Sequence, residues 1–542
     1  MVERNRIGLG TWIDKLAWEI IEREKQLGRS LDNIRTEAGI AASGFIHIGS
    51  LSDSVRAYAV SLAIKNLGLN SEMIQFADDM DGLRSVPAEI PKEYEKHLLK
   101  PVSLIPDPFN CHESYAEHME NMLLDALAKT GVESKFYRGF HVYNSGLLKN
   151  QISKILENAR TIGEKIAELT GQQKFQEMLP YFPLCASCGR IYTTHAEGFD
   201  PKTGRVHYVC KGVSIKKRWF DGCGYEGEAD ISKADGKLSW KVEWAARWAA
   251  LDVRFEAYGK DLAASVMVND WVSEHILAYK PPKHVQYELF LDASRRKISK
   301  SKGVSVFTPH EWFKYGSPQS LVLLFLKRIK GTRVVSPQLI PALMDELDTL
   351  GEQYRRNTGD PRRTGLYVYA YMFKPPEKTP TKVSYSLLVF LASIAPEGKE
   401  KEFVVARLKR YGYKVDEEVL KKVEYAVNYQ KTFGKPEVEP VTIDEILRRA
   451  VDEVAEAVRN ASNPDTLQST IFEIARRNMI NPPQLFQTLY RILIGQDSGP
   501  KLATFIIEDY GVERAYTALK AVTQGLYTTK NHTSHQKSEK RN

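Results

Sequence analysis

The segment from residue 33 to residue 79 restricts the fold more than any other part of the chain. A short strand is predicted over 33–38, a turn of small residues over 39–44, a helix over about 50–67 and a buried strand over 72–77. Strand, helix and strand in this order form a βαβ unit, and its right-handed crossover makes it half of a doubly wound parallel sheet. Ligands of such sheets bind at the carboxyl ends of the strands.

The composition is that of a soluble globular protein, and the length predicts about three to four domains. The chain has 542 residues, of which 43% are hydrophobic and 27% are charged, and it contains no apolar run of about 18 residues. Its amino-terminal residues are polar, which argues against a signal peptide and predicts a cytoplasmic protein without membrane attachment. The net charge of +8 is compatible with binding a polyanion but does not establish it.

The turn after the first strand has the chemistry of a phosphate site. Gly39, Ser43 and Gly44 allow close approach of the backbone to a ligand, and the N-terminus of the following helix favours an anion. His47 and Ser50 stand one helical turn apart and can both donate hydrogen bonds to phosphate oxygens. The alternative is that His47 is a satisfied polar residue in a packed turn.

A basic segment about 250 residues later can serve the same ligand. It follows a predicted strand over 286–291 and alternates two lysines with two serines: Lys297, Ser299, Lys300 and Ser301. A mobile cationic loop of this kind can neutralise a departing polyphosphate. The alternative is an ordinary solvated basic loop.

These two segments resemble the HIGH and KMSKS signatures of class I aminoacyl-tRNA synthetases. Over about 30–330 the chain further resembles the class I lysyl-tRNA synthetases, mainly archaeal, in the segments 76–84, 105–116, 240–248 and 255–261. The resemblance implies a lysine–tRNA ligase whose substrates are ATP with Mg²⁺, L-lysine and tRNA(Lys). It also implies catalytic roles for His47, Ser50, Lys297 and Lys300, and an ATP site formed by Ser43, Gly44, His47, Gly49, Ser50, Lys297, Ser299, Lys300 and Ser301.

The acidic residues at the predicted strand ends favour a cationic amino acid. A lysine ammonium needs a carboxylate and accepts an aromatic wall, whereas glutamate would need a cation. The candidate lysine-binding residues are Glu37, Gly39, Asp78, Asp79, Trp240 and Tyr258. For each acidic residue the alternative is a helix cap or a surface ion pair.

The chain departs from the family pattern at several positions. Ser50 stands at the fourth position of the first signature, and Ile298 replaces the common methionine of the second. Ala41 and Ala42 stand where the family usually has threonine and proline, and Leu262 stands where histidine is usual. Ala41 and Leu262 therefore remove polar groups near the expected lysine pocket.

Four of the five cysteines predict a structural zinc site. Cys185 and Cys188 form a knuckle, and Cys210 and Cys223 are the natural second pair at a longer spacing. His207 and, more weakly, His195 are competing ligands, and inert buried cysteines are the alternative. The fifth, Cys111, stands alone and is expected in the core.

The expected fold is α/β, with a doubly wound parallel-sheet (Rossmann-like) catalytic domain that carries a zinc-binding insertion, followed by an all-α C-terminal domain. The expected domains are a catalytic domain over 1–330 with a zinc ribbon over 181–228, a connecting stem over 331–384, an anticodon-binding domain over 385–527 and a disordered basic tail over 528–542. Alternative functions are a class I synthetase for another amino acid such as glutamate, an adenylate-forming nucleotidyltransferase, or an inactive RNA-binding paralogue.

Overall fold

A computed structural model describes residues 7–215, 217–291, 308–331, 333–378, 381–434, 441 and 443–524. The chain divides into two compact units. The first comprises the described residues of Met1–Trp312, Pro318–Ser336 and Leu350–Glu377, and the second those of Phe313–Ser317, Pro337–Thr349 and Lys378–Asn542. The predicted basic tail over 528–542 lies outside the described residues.

The strands lie in the first unit. They are β1 (Ile34–Ile40), β2 (Ser71–Ala77), β3 (Lys135–Arg138), β4 (Tyr181–Pro183), β5 (Thr194–Asp200), β6 (Arg205–Cys210), β7 (Gly212–Ile215), β8 (Arg218–Asp221), β9 (Glu226–Asp230), β10 (Gly236–Leu238), β11 (Val253–Gly259), β12 (Lys283–Tyr287), β13 (Phe290–Leu291) and β14 (Arg333–Val334).

The α-helices occur in both units. They are α1 (Trp12–Gln26), α2 (Ile48–Asn66), α3 (Tyr115–Thr130), α4 (Gly139–Asn144), α5 (Lys149–Glu157), α6 (Ala159–Thr170), α7 (Glu243–Leu251), α8 (Ala263–His275), α9 (Pro309–Phe313), α10 (Pro318–Leu326), α11 (Ile340–Arg355), α12 (Pro361–Ala370), α13 (Tyr385–Ile394), α14 (Glu400–Arg410), α15 (Glu417–Phe433), α16 (Glu445–Arg459), α17 (Pro464–Arg477), α18 (Pro482–Ile494), α19 (Leu502–Phe505) and α20 (Val512–Thr523).

A five-stranded parallel sheet organises the first unit, in the order β12-β11-β1-β2-β3. The predicted βαβ unit is confirmed as β1, α2 and β2. The first strand extends two residues beyond the prediction because Gly39 and Ile40 still pair with Phe76 and Ala77 of β2. The central strand therefore reaches into the small-residue segment, and the turn begins only at Ala41.

Two further predictions need correction. The sequence pattern of residues 146–170 predicts a single helix. The structure has two, α5 and α6, because Asn158 leaves the helical conformation between them (φ −106°, ψ 16°). The strand predicted over 286–291 is also divided. Its first part ends at Tyr287, which pairs with Gly259, the last residue of β11, and its second part is β13, which pairs with β14 in a separate sheet.

The strands from β4 to β10 form an insertion between β3 and β11 of the main sheet. They make three small antiparallel sheets, in the orders β10-β4, β5-β6-β9 and β7-β8. The insertion shares one apolar core with the main sheet, including Tyr192 and Leu238 on one side and Phe76 and Trp248 on the other.

The described residues of the second unit form helices, as the sequence predicts from residue 385 onward. Several of them begin at side-chain caps: Asp416, Asp444 and Asn463 accept backbone N–H groups of α15, α16 and α17. The proline at the first position of α17 and α18 needs no hydrogen-bond acceptor there. Across the described part of the chain, no helix is both long and apolar enough to cross a bilayer.

Candidate functional site

The imidazole of His47 is held at the N-terminus of α2. His47 is the N-cap residue, and its Nδ1 accepts the backbone N–H of Ser50 at 3.2 Å. Because Nδ1 accepts, the neutral ring carries its proton on Nε2, which becomes a hydrogen-bond donor. Gly49 is required beside the ring, since a Cβ at that position would lie 2.8 Å from the imidazole atoms Cε1 and Nδ1.

The loop that precedes α3, together with the first turn of that helix, contacts the histidine turn. The hydroxyl of Tyr115 donates to the carbonyl of Ser43 at 3.2 Å. Phe109 stacks on His118 at 4.5 Å between ring centroids and makes an edge contact with Phe45 at 6.3 Å. The position of the turn therefore depends on the conformation of this loop.

An open cleft of about 290 Å³ lies at the carboxyl ends of β1 and β11, where a doubly wound sheet binds its ligands. The helix N-terminus with its histidine forms one side. The lining residues include Gly39, His47, Gly49, Ser50, Asp53, Trp240, Gly259, Asp261, Tyr287 and Phe290. A phosphate group fits beside the N-terminus of α2, because backbone N–H groups and the helix dipole both favour an anion there.

A smaller compartment of about 70 Å³ adjoins the cleft and shares Gly39, Asp53, Trp240 and Tyr287 with it. Its other walls are aromatic and acidic, with Trp244, Tyr258, Asp78 and Glu256 among the lining residues. Ala41 and Leu262 line both compartments. The size and lining of the inner compartment suit one end of a small cationic molecule.

The buried guanidinium of Arg247 lies among three carboxylates next to the inner compartment. It donates to Asp78 at 2.8 Å, lies 2.9 Å from a Glu37 oxygen and 3.9 Å from one of Glu256. Its flat face covers the ring of Phe76 at 4.2 Å. One cation therefore faces three carboxylates, and a bound cation would balance the negative charge that remains when all three are ionised.

Burial keeps the protons of these acids more firmly bound than usual. It raises the pKa of Asp78 to about 7, although the nearby Arg247 acts in the opposite direction. Burial and then the neighbouring Glu37 raise the pKa of Glu256, and burial also raises that of Glu37. A cation in the inner compartment would favour the ionised form of each acid.

A second buried cation connects this group to the insertion. Lys237 of β10 donates to Asp81 at 2.5 Å and lies 2.9 Å from Glu243 of α7. The hydroxyl of Tyr192, also in the insertion, donates to Asp81 at 3.2 Å. Glu243 and Arg247 are one turn apart on α7, so the insertion and the acidic compartment share the same helix.

The four clustered cysteines meet in the insertion. The ligand atoms of Cys185, Cys188, Cys210 and Cys223 all lie within 4.8 Å of one another. The Cys185–Cys223 and Cys188–Cys210 sulfur distances are 3.6 and 3.9 Å. Sulfurs at the corners of a zinc tetrahedron are about 3.8 Å apart, so this donor set fits a tetrahedral zinc ion.

A second donor set joins the loop before α3 to His118 of that helix. The ligand atoms of Asp107, Cys111, His112 and His118 lie within 4.8 Å of one another. The sulfur of Cys111 is 3.1 to 3.2 Å from the Asp107 carboxylate and from both imidazoles. The prediction of a solitary core cysteine is therefore wrong, since Cys111 is exposed and grouped with three other metal-binding side chains.

Comparison with known proteins identifies the family. Residues 10–372 match the family described as tRNA synthetases class I (K). The lysine–tRNA ligase of Cenarchaeum symbiosum (strain A) is 45% identical over 517 residues, which cover 94% of this chain and 98% of that protein. The chain belongs to the class I lysyl-tRNA synthetases.

More distant lysine–tRNA ligases align over almost the same length. That of Rickettsia felis is 29% identical over 539 residues, covering 95% of this chain and 99% of its own. That of Methanosphaera stadtmanae is 29% identical over 542 residues, covering 93% and 98%. Family membership thus extends over both compact units of this class I synthetase.

The synthetase brings together some of the predicted site residues. Gly39, His47, Gly49, Ser50 and Trp240 line the cleft, and Asp78 and Tyr258 line its inner compartment. Ser43 and Gly44 lie in the turn itself. The predicted residues Lys297, Ser299, Lys300 and Ser301 lie outside the described part of the chain.

Two predicted lysine-binding acids have other surroundings. Asp79 accepts the backbone N–H of Phe140 at 2.6 Å at the start of α4, which is the helix-cap alternative. Glu37 is fully buried against Arg247, and its connection to the cleft is this contact with Arg247. Glu37 lies within β1 and Asp79 follows the end of β2, and neither is among the lining residues of the cleft or of its inner compartment.

The sequence reasoning did not identify Asp53, Glu256 and Arg247. Asp53 could have been found by helical spacing, since it follows Ser50 by three residues on the same face of α2. Glu256 is an acid within a strand of aromatic and apolar residues, which is a sign of a paired or functional carboxylate. No local signal marks Arg247, whose partners are distant in sequence.

Proposed function

We propose that this protein is a lysine–tRNA ligase that works in two steps. The carboxylate of lysine attacks the α-phosphorus of ATP in line, which forms lysyl-adenylate and releases pyrophosphate. The terminal ribose 2′-hydroxyl of tRNA(Lys) then attacks the carbonyl carbon of lysyl-adenylate and releases AMP. Neither step needs a covalent enzyme intermediate, so the protein contributes positioning and charge stabilisation.

The acidic character of the inner compartment carries this proposal. Asp78 and Glu256 line it, and Arg247 is already engaged by Asp78 and Glu37. A glutamate substrate would need a cation that is free to bind it, whereas a lysine ammonium completes the existing charge balance. The compartment thus favours lysine over glutamate as the activated amino acid.

The roles of the nucleotide-binding residues are assigned from the geometry of the histidine turn and from the signature motifs of the family. The Nε2–H of His47 and the hydroxyl of Ser50 hold phosphate oxygens, with Gly49 keeping the imidazole in place. The backbone of Ser43 and Gly44 approaches the nucleotide. Lys297 and Lys300, with Ser299 and Ser301, stabilise the departing pyrophosphate, and Mg²⁺ carried by ATP shields its charge.

In the amino-acid pocket, Asp78 and Glu256 receive the substrate cation, while Trp240 and Tyr258 provide its aromatic wall. Gly39 leaves room for the substrate at the end of β1. Glu37 acts indirectly, by fixing Arg247. Asp79 remains in the pocket's vicinity as a helix cap and makes no contact with lysine in this scheme.

We further propose that both metal-binding groups hold structural zinc. The cysteine set would close the insertion, with all four ligands supplied by the protein and no position open for catalysis. The set at Asp107, Cys111, His112 and His118 would fix the loop that supports the histidine turn. Neither ion takes part in the reaction itself.

The described helices of the second unit fit an anticodon-binding role in a cytoplasmic enzyme. Among the exposed arginines of this unit, which can contact phosphates, are Arg448, Arg449, Arg476, Arg477 and Arg491. Phe486 is half-buried beside Phe472 and can stack on a base, whereas Tyr490 is buried and serves the core.

The test is ATP–pyrophosphate exchange with each amino acid in turn, in the presence and absence of tRNA, followed by attachment of labelled amino acid to tRNA. Lysine alone should support exchange and charging. Exchange with glutamate instead would contradict the charge argument. Tight binding of tRNA without any exchange would identify an inactive RNA-binding paralogue.

A further inference from the structure

The two cysteine knuckles of the insertion have the same backbone hydrogen bonds. In the first, the N–H of Cys185 donates to the carbonyl of Arg190 at 2.9 Å, and the N–H of Gly189 donates back to Cys185 at 2.8 Å. In the second, Cys210 donates to Tyr225 at 2.9 Å and Gly224 donates back to Cys210 at 3.0 Å.

The two knuckles also share a backbone conformation. The second differs from the first by an additional segment between its cysteines. Gly189 and Gly224 both follow the second cysteine of their knuckle and both have a left-handed backbone, with φ of 69° and 75°. Two residues separate the cysteines of the first knuckle, whereas residues 211–222 separate those of the second. The metal-binding geometry is therefore complete without this segment.

The described residues of the segment 211–222 form a hairpin that is anchored at its base and exposed at residues 217–219. Strands β7 and β8 pair in antiparallel fashion, and the base is held by the bond from Gly212 N–H to Thr193 and by buried Phe220. Gly222 permits the close return of the chain, since a Cβ there would lie 2.0 Å from the carbonyl of Cys210.

The indole ring of Trp219 on this hairpin is exposed to solvent. Trp219 is 60% exposed, although burial of an indole is normally favourable. Its ring is nevertheless fixed, because Nε1–H donates to Asp221 at 2.8 Å and a ring carbon packs against the position where Gly212 lacks a side chain. A fixed, exposed indole is suited to stacking with little loss of conformational freedom.

The charge of the hairpin complements an anion. Residues 211–222 contain Lys211, Lys216, Lys217 and Arg218 and a single acid, Asp221. Lys217 and Arg218 directly precede Trp219 in the sequence and are exposed, with the Arg218 guanidinium over the ring of Phe220 at 4.8 Å, while Lys211 is paired with Glu197. Arg190 of the first knuckle donates to the carbonyl of Asp221 at 3.1 Å and adds a further guanidinium at the base.

We propose that this hairpin is a binding surface for RNA, in which Trp219 stacks on a base and Lys217 and Arg218 contact phosphates. Cations next to an exposed aromatic ring are the combination that binds single-stranded nucleic acid. The identification of the RNA as tRNA rests on the proposed function. The hairpin then contributes to tRNA affinity without taking part in lysine activation.

The test compares tRNA binding and charging by the full-length protein and its variants. Trp219→Ala should raise the KM for tRNA and the Kd in a filter-binding assay about tenfold, as expected for loss of one stacked base. The KM values for lysine and ATP at saturating tRNA, and the zinc content, should stay the same. Trp219→Phe should restore most of the affinity, because the phenyl ring still stacks.

A matched control is Trp18→Ala, which removes another exposed tryptophan (45%) on α1 and should not change tRNA affinity. The double variant Lys217→Ala with Arg218→Ala should weaken binding and reduce the slope of log K against log salt by about two.

Unchanged tRNA affinity in Trp219→Ala would overturn the inference and leave a protein partner as the explanation of the exposed ring. The proposed function fails separately, if no tRNA is charged by the parent protein. In that case the comparison of Kd values between parent and Trp219→Ala still decides whether the hairpin binds RNA.

Discussion

The guanidinium of Arg247 donates a 2.8 Å hydrogen bond to the carboxylate of Asp78 at the inner end of the cleft. The same guanidinium reaches Glu37 in the middle of β1 at 2.9 Å, so one side chain of α7 joins β1 to the end of β2. The acidic compartment is consequently assembled before any substrate enters, with its carboxylates held apart by a fixed cation.

Replacing Arg247 by lysine should distinguish the contribution of its positive charge from that of its planar guanidinium group. A lysine ammonium preserves the positive charge but cannot contact two carboxylates with a planar fork. We expect Arg247→Lys to raise the KM for lysine about tenfold, equivalent to about 1.4 kcal/mol, with little change in the KM for ATP. Steady-state exchange kinetics measure both constants. Equal increases in the two would indicate a general loss of structure instead.

The affinity for lysine should depend on pH. With a pKa of about 7, Asp78 is largely protonated at pH 6 in the free protein and largely ionised at pH 8. Lysine binding requires the ionised form, so the KM for lysine should rise about tenfold as the pH falls from 8 to 6. The KM for ATP, measured in parallel, is the control. A KM for lysine that is constant over this interval would refute the role of Asp78.

His47 should contribute to activity and to helix stability in distinguishable ways. His47→Ala removes both the phosphate donor and the N-cap of α2, so we expect exchange to fall by about 10² to 10³-fold and stability by about 1 kcal/mol. His47→Ser keeps a capping oxygen and should recover the stability but not the activity. Thermal unfolding and exchange rates distinguish the two effects. Full activity of either variant would remove histidine from the mechanism.

Gly49→Ala should reduce activity without unfolding the protein. The new Cβ would stand 2.8 Å from the imidazole and would displace it from the N-terminus of α2. Alanine near the start of a helix is otherwise favourable by about 0.5–1 kcal/mol relative to glycine. We therefore expect an unchanged or slightly higher melting temperature together with a lower exchange rate. Retention of the parent rate would show that the ring position is unimportant.

Zinc analysis should find about two ions per chain, one for each group of four donors. Cys188→Ser should lose one ion and destabilise the insertion. His118→Ala should lose the other ion and should lower exchange activity, because its loop supports the histidine turn. Atomic absorption on the parent and both variants measures the stoichiometry. A single ion retained by His118→Ala and lost in Cys188→Ser alone would restrict zinc to the cysteine set.

Local patterns were sufficient for most of the secondary structure around the site. Helix α1, the βαβ unit and the helices of the second unit follow from periodicity and caps, which depend on residues only a few positions apart. Errors occurred where a partner sets the boundary. The end of β12 at Tyr287 is determined by the end of its neighbour β11 at Gly259, which periodicity within the segment cannot reveal.

In the candidate site, too, features formed by residues close in sequence are predicted better than contacts set by the fold. The histidine turn was recognised because its glycine, histidine and serine act within four residues. The donor group at Asp107 is not predicted, although its four side chains lie within 12 residues, because their spacing matches no familiar metal-binding motif. Asp79, which the sequence groups with Asp78, accepts the backbone N–H of Phe140, a contact that adjacency to Asp78 does not reveal.

By itself the sequence determined the βαβ unit, the turn that carries His47 and the four clustered cysteines, since each depends on short-range spacing and backbone conformation. Only the tertiary structure decided which charged groups share a buried volume. Glu37, Asp78 and Arg247 are up to 210 residues apart in the chain, and their pairing arises when α7 packs on the sheet. Electrostatic energy depends on distance in space and on burial, and neither quantity is encoded in separation along the chain.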